Sequence, residues 1–279
     1  MHTLELKDIE AGYDGKTVIS GITFTASESS LYVVLGQNGA GKTTLFRTIA
    51  GILEPSKGQV LLDGINTGAS AGLRGRINYL SHYNALPEEM TVYNALEFYS
   101  KMEDGNVEKA IDLLKLGWLR DKKIKYLSQG QKKLVSIAKV FLRDRDVYLL
   151  DEPTANLDPA VSKLIRDMVL NMSKNKIVLY SSHNLYEATD IGTNIIFIKD
   201  GKLALFDRIS NIKSGSYKIG IRASEDISNL IDKGEYISGY YVLTVSGPEE
   251  AGLVLKNIVE KGILVTEMRE LTNPLQELF

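Results

Sequence analysis

A short apolar run, Leu31-Tyr-Val-Val-Leu35, leads straight into Gly36-Gln-Asn38-Gly39-Ala40-Gly41-Lys42-Thr43, and Thr44-Leu-Phe-Arg-Thr-Ile-Ala50 continues with helical character. Strand, glycine loop and helix in that order constrain the fold more than any other stretch. Glycines let the main chain curl until successive N–H groups point inward, and the following helix offers its positive end to an anion. Lys42 adds a mobile cation for outer phosphates, and the Thr43 hydroxyl suits a magnesium ion. The pattern predicts a cradle for a triphosphate in which Gly36, Asn38, Gly39, Ala40, Gly41, Lys42, Thr43 and Thr44 surround the phosphates.

Two more apolar runs, Val147 to Leu150 and Ile177 to Tyr180, are each followed at once by polar residues, Asp151-Glu152 and Ser181-Ser-His183. Near-continuous apolar strands are the mark of a parallel sheet covered on both faces, and ligands on such sheets collect at the carboxyl ends of the strands. Three segments are thus expected on one rim. Asp151 is expected to hold the magnesium through its hydration shell, and Glu152, pointing the other way, to polarise a water for attack on the terminal phosphate.

Elsewhere the patterns differ. Leu4 to Ile9 and Ile22 to Thr25 alternate around turn residues Gly12, Asp14 and Gly15, predicting a small antiparallel sheet, with Gly58 to Leu62 and Asp63-Gly64 as a further hairpin. Residues 84–145 read as helical, with Leu134, Ile137, Ala138, Phe141 and Leu142 on one apolar stripe. Past about residue 210 the order strand, helix (Ile227, Leu230, Ile231), hairpin (235–245), helix (251–259), strand (263–268) predicts a small ferredoxin-like α+β module. The expected domains are 1–210 and 211–279, the first holding a helical subdomain at about 84–145.

With 279 residues, 44% of them hydrophobic and 24% charged, the chain has enough apolar material for a full core. A net charge of −2 provides no global attraction to nucleic acid, and the absence of cysteine excludes disulfides and thiolate chemistry. No apolar run approaches the roughly 20 residues of a membrane helix, so a cytoplasmic protein is expected, with any membrane crossed by another polypeptide.

Leu127-Ser128-Gln129-Gly130-Gln131, then Asp151-Glu152-Pro-Thr154-Ala-Asn-Leu157-Asp158, then His183, resembles the ATPase subunit of an ABC transporter over about residues 4–210. The resemblance implies a P-loop NTPase that binds ATP and Mg2+. It implies two subunits, identical or sister chains, facing head to tail on the cytoplasmic face of membrane permease subunits. Each ATP would lie between one subunit's cradle and the other's Ser128, Gly130 and Gln131, with Asp158 on the crossing loop. Glu152, His183 and Lys42 would be catalytic, His183 as the switch that senses the terminal phosphate. Tyr13 would stack on adenine, or else be a loop residue of the small sheet. Ser128 also suits a helix cap, which is compatible with touching phosphate. The resemblance puts a glutamine near the metal where this chain has His82, and His82 is expected to take its place beside Thr43 and Asp151. Gln129 stands where the family usually has glycine.

The last residues, Asn273-Pro274-Leu275-Gln-Glu-Leu-Phe279, resemble the tail of ABC ATPases that export drugs, ions or polysaccharides. Export is the expectation. Import with a regulatory C-terminal module and a non-membrane ABC ATPase are the alternatives, the latter disfavoured by the near-neutral charge and the absence of a second ATPase unit.

Overall fold

A computed structural model describes residues 2–81, 86–212, 217–231, 234–271 and 275. The chain divides into two compact units, Met1–Ile209 and Ser210–Phe279. In the first, β1 (Thr3–Tyr13) and β2 (Lys16–Ser27) form a long antiparallel hairpin. Asp14 and Gly15 both take positive φ, 50° and 74°, which matches the twist of a two-residue hairpin turn. Next come β3 (Ser30–Leu35), α1 (Lys42–Ile49), β4 (Lys57–Leu62), β5 (Ile65–Asn66), the one-turn α2 (Ala71–Arg74) and β6 (Ile77–Leu80). The helical part contains α3 (Val92–Glu103), α4 (Val107–Leu113) and α5 (Gln129–Val140). The unit continues through β7 (Val147–Asp151), α6 (Pro159–Met172), β8 (Ile177–Ser182), α7 (Leu185–Ile191), β9 (Asn194–Lys199) and β10 (Lys202–Arg208).

Two sheets result. The order β2-β1-β4-β5 is antiparallel, whereas β10-β9-β3-β8-β7-β6 is parallel apart from its antiparallel edge strand β10. The parallel strands β3, β7 and β8 are almost wholly buried, in accord with their unbroken apolar runs. One apolar core joins the two sheets through Leu4, Ile22, Phe46, Val34, Leu149 and Leu179. The α5 stripe of Leu134, Ile137, Ala138, Phe141 and Leu142 is buried throughout. Thr91 caps α3, Asn106 caps α4 and Asp158 caps α6, each accepting a backbone N–H. Among the described residues no helix is long and apolar enough to cross a membrane.

The second unit has β11 (Tyr217–Ala223), β12 (Glu235–Ile237), β13 (Tyr240–Val245), α8 (Pro248–Glu260) and β14 (Val265–Glu270), with the antiparallel order β12-β13-β11-β14. That strand order is the ferredoxin-like one. The helix expected around Ile227 to Ile231 is not formed, however. Asp226 accepts the Ser228 N–H at 2.8 Å, its Oγ at 2.6 Å and the Tyr241 hydroxyl at 3.0 Å, so the chain turns on side-chain bonds instead of a helical ladder. Ile227 is fully buried with Ile219, Ile221 and Leu243, so its apolar character serves the core without a helix.

Candidate nucleotide site

Parallel register sets the site. Leu35 stands beside Ser182, and Asp151 beside Ser181, so the ends of β3, β8 and β7 lie level on one rim. Gly36 is boxed in, since a Cβ there would come 2.5 Å from the Ile198 carbonyl oxygen. Gln37 to Gly39 form the exposed lip, closed by the Ala40 N–H donating to the Gln37 carbonyl at 3.1 Å. Gly41 caps α1 at φ 108° without a side-chain bond, so the helix's first N–H groups lack partners in their own ladder. A cleft of about 250 Å³ is lined by Tyr13, Val18, Asn38, Gly39, Gly41, Lys42, Thr43, Thr44 and Glu152.

Lys42 is buried, and its Nζ donates to the carbonyls of Gly36 at 2.7 Å and Gln37 at 3.2 Å. Burial pushes its pKa down, and Glu152 and Asp151 partly restore it. Phosphate oxygens at the lip would favour its charged form further. The Thr43 hydroxyl donates to Asp151 Oδ2 at 2.8 Å, and the Ser181 hydroxyl donates to Oδ1 at 2.7 Å, so the fully buried Asp151 carboxylate is satisfied on both oxygens. Tyr79 adds a longer contact to Asp151 at 3.4 Å; its burial and the nearby carboxylate push its pKa up to about 12. The paired oxygens of Thr43 and Asp151 are hard donors of the kind magnesium takes, leaving phosphate and water to complete a coordination sphere. Among the described residues no group of three or more histidine, cysteine, aspartate or glutamate side chains is arranged to hold a metal ion by itself.

Glu152 takes φ 46°, a left-handed conformation rare for a residue with a Cβ. Its N–H donates to Ser181 Oγ at 2.9 Å, which secures that turn. The side chain then stands 3.5 Å from His183 Nδ1 and 4.0 Å from Lys42 Nζ. Glu152, on the cleft wall, thus stands between a cation inside the cleft and a histidine beside it, an arrangement suited to holding and polarising a water next to a phosphate. Tyr13 lies at the cleft wall, with Arg47 donating to its hydroxyl at 3.1 Å and the guanidinium 6.0 Å from the ring centroid.

Other expected residues fall elsewhere. Ser128 caps α5 and forms a capping box with Gln131, each accepting the other's backbone N–H. Asp158 caps α6. Neither these nor Gly130 line the cleft of their own chain. His82 lies outside the described residues. Ser181 went unassigned in the sequence, although its place one step before the Ser182-His183 pair on an apolar strand marks it as inward-facing at the rim.

The ABC transporter family profile matches residues 19–155. YhcH of Bacillus subtilis (strain 168), described as an uncharacterized ABC transporter ATP-binding protein, is 29% identical across 99% of this chain and 94% of its own length. The much longer ABC transporter ced-7 of Caenorhabditis elegans is also 29% identical, but the chain spans only 12% of it. Among solved structures, cbiO1 from Clostridium perfringens, part of the ABC transporter complex cbiONQ, superposes with a TM-score of 0.65 at 28% identity, over 74% of this chain and 88% of that one. The dimeric structure of MJ0796, a bacterial ABC transporter cassette, gives 0.67 at 21% identity, over 74% and 98%, a likeness of fold. Because the resemblance runs through nearly the whole chain and not the cradle alone, this protein belongs to the ATP-hydrolysing ATP-binding subunits of the ABC transporter family.

Proposed function

We propose that two copies, or this chain and a sister subunit, close head to tail on two ATP molecules and reopen after cleavage, driving export of a solute through separate membrane subunits on whose cytoplasmic face they sit. The observation that carries the reading is the incompleteness of the cleft in a single chain. Its lining holds the cradle and Glu152, with Asp151 bonded to Thr43 and His183 beside Glu152, yet Ser128, Gly130 and Asp158 neither line it nor are bonded to those residues, and would complete a neighbour's site. The dimeric cassette of the same fold supports that arrangement, and the membership of cbiO1 in a transporter complex supports membrane partners.

In this reading Gly39 to Thr44 hold the phosphates, Lys42 leaves its carbonyl partners for the outer phosphates, and Tyr13 stacks on adenine. Thr43 and Asp151 would hold magnesium, which when bound would neutralise charge developing on the phosphates. Glu152 accepts a proton from the attacking water, contributing about 10²–10⁴-fold, while His183 fixes Glu152 and touches the terminal phosphate. The partner's Ser128 and Gly130 present the positive end of α5 to that phosphate.

Glu152→Gln should abolish steady-state hydrolysis and accumulate an ATP-bound dimer in size-exclusion chromatography; full turnover in that variant would remove Glu152 from the mechanism. Purification from solubilised membranes should bring down a multi-span protein, and recovery of ribosomes or DNA instead would overturn transport. Export rests on the tail resemblance alone. Inside-out vesicles bearing the complex should take solute up on ATP addition, whereas loss of preloaded solute would assign import.

A further inference from the structure

Behind Glu152 and His183 lies a second cavity of about 370 Å³, bounded by Thr154, Leu157, Arg166, Ser182 and Glu187 among others. Side chains backed by open space are not held by packing, and His183 is itself 59% exposed. Their relative position must therefore come from hydrogen bonds. Ser181 provides one such link, from Asp151 to the Glu152 N–H. The other centres on Glu187, a carboxylate only 7% exposed that the hydrolytic scheme above does not use.

Glu187 Oε1 accepts the Thr154 hydroxyl and the Tyr180 hydroxyl, both at 2.7 Å, and Oε2 accepts the Ser182 hydroxyl at 2.8 Å. Arg166 Nη1 stands 3.7 Å from Oε1. The Asn184 N–H donates in turn to Ser182 Oγ at 3.0 Å, and the Asn184 side chain caps α7 by accepting the Glu187 N–H. His183 is thereby clamped between two residues that Glu187 fixes, and Thr154 lies two residues beyond Glu152. A buried carboxylate that merely filled space could give way to an apolar side chain at little cost. This one is spent on joining the two segments that carry the reacting groups.

We propose that Glu187 is a positioning residue for ATP hydrolysis: through Thr154 and Ser182 its carboxylate sets the distance between Glu152 and His183, and it carries that setting into the 154–158 loop leading to Asp158. This rests on the reading of Glu152 and His183 given above. Geometry lost by about 1 Å at a reacting centre costs on the order of a hundredfold in rate, whereas none of the side chains bonded to the Glu187 carboxylate lines the nucleotide cleft.

The full-length chain with Mg-ATP supplies the test. Glu187→Ala should lower kcat by about ten- to a hundredfold while the Kd for a non-hydrolysable analogue stays within about threefold. Glu187→Gln keeps the shape and an acceptor oxygen, and should recover most of the lost turnover. The proposal is overturned if Glu187→Ala turns over at the wild-type rate, if binding and turnover fall by the same factor, or if Glu187→Gln is no better than alanine. Should Glu187→Ala not fold, Thr154→Val and Ser182→Ala each cut one link and must lower kcat without weakening the analogue; normal turnover in both overturns it equally. Glu152→Gln run alongside separates the two readings. Turnover retained there defeats the site assignment itself, while an inactive Glu152→Gln beside a normal Glu187→Ala defeats only the positioning role.

Discussion

Gly41 stands at φ 108°, and a Cβ there would lie 2.5 Å from the Ile19 Cγ2 methyl of the neighbouring sheet. Both the backbone angle and the space demand glycine, so Gly41→Ala must reshape the cradle. Strain of about 1–3 kcal/mol at such a position translates to ATP binding weakened by roughly five- to 160-fold, measurable by titration calorimetry. A second residue-level prediction concerns acid. Burial pushes the Asp63 carboxyl up, but the Thr3 N–H, Arg76 and His2 outweigh it and hold the pKa down at about 2. A carboxylate depressed in the fold contributes stability above its ordinary value near 3.8, and that contribution is lost as pH falls through about 2. Asp63→Asn should cost on the order of 2 kcal/mol at neutral pH and flatten the dependence of urea midpoints on pH between about 5 and 2.

At the scale of elements, α5 is set by its first turn and its buried stripe. Ser128→Ala removes the cap and half of the capping box, which costs about 1 kcal/mol of stability, read from a denaturation midpoint. The same variant should bind analogue normally yet hydrolyse poorly, because the cleft of its own chain does not include Ser128. Wild-type turnover in that variant would take Ser128 out of the proposed shared site. The helical pattern of α5 was plain in the sequence because a burial period of 3.6 differs from anything a turn produces. The stretch from Ile227 to Ile231 deceived for the opposite reason: three apolar residues at compatible spacing are too few to outweigh an Asp226 that binds its own backbone.

Taken whole, the molecule comprises two units, each with its own apolar core. A chain ended at Ile209 should fold cooperatively and bind ATP within about threefold of the full-length Kd, as judged by thermal denaturation and calorimetry; an unfolded product would show that the first unit depends on the second. The cradle, the strand-end carboxylates, His183 and the hairpin turns were all readable in the sequence, because each is chemistry between close neighbours: glycines beside a lysine, an apolar run before a polar pair, Asp14 before Gly15. What only the tertiary structure decided are links between residues some thirty or more positions apart, Asp151 to Ser181, Thr154 to Glu187, and Thr43 to Asp151. Those depend on strand order and parallel register, and strands buried on both faces are apolar throughout, so their pattern leaves neighbours and alignment undetermined until the sheet is packed.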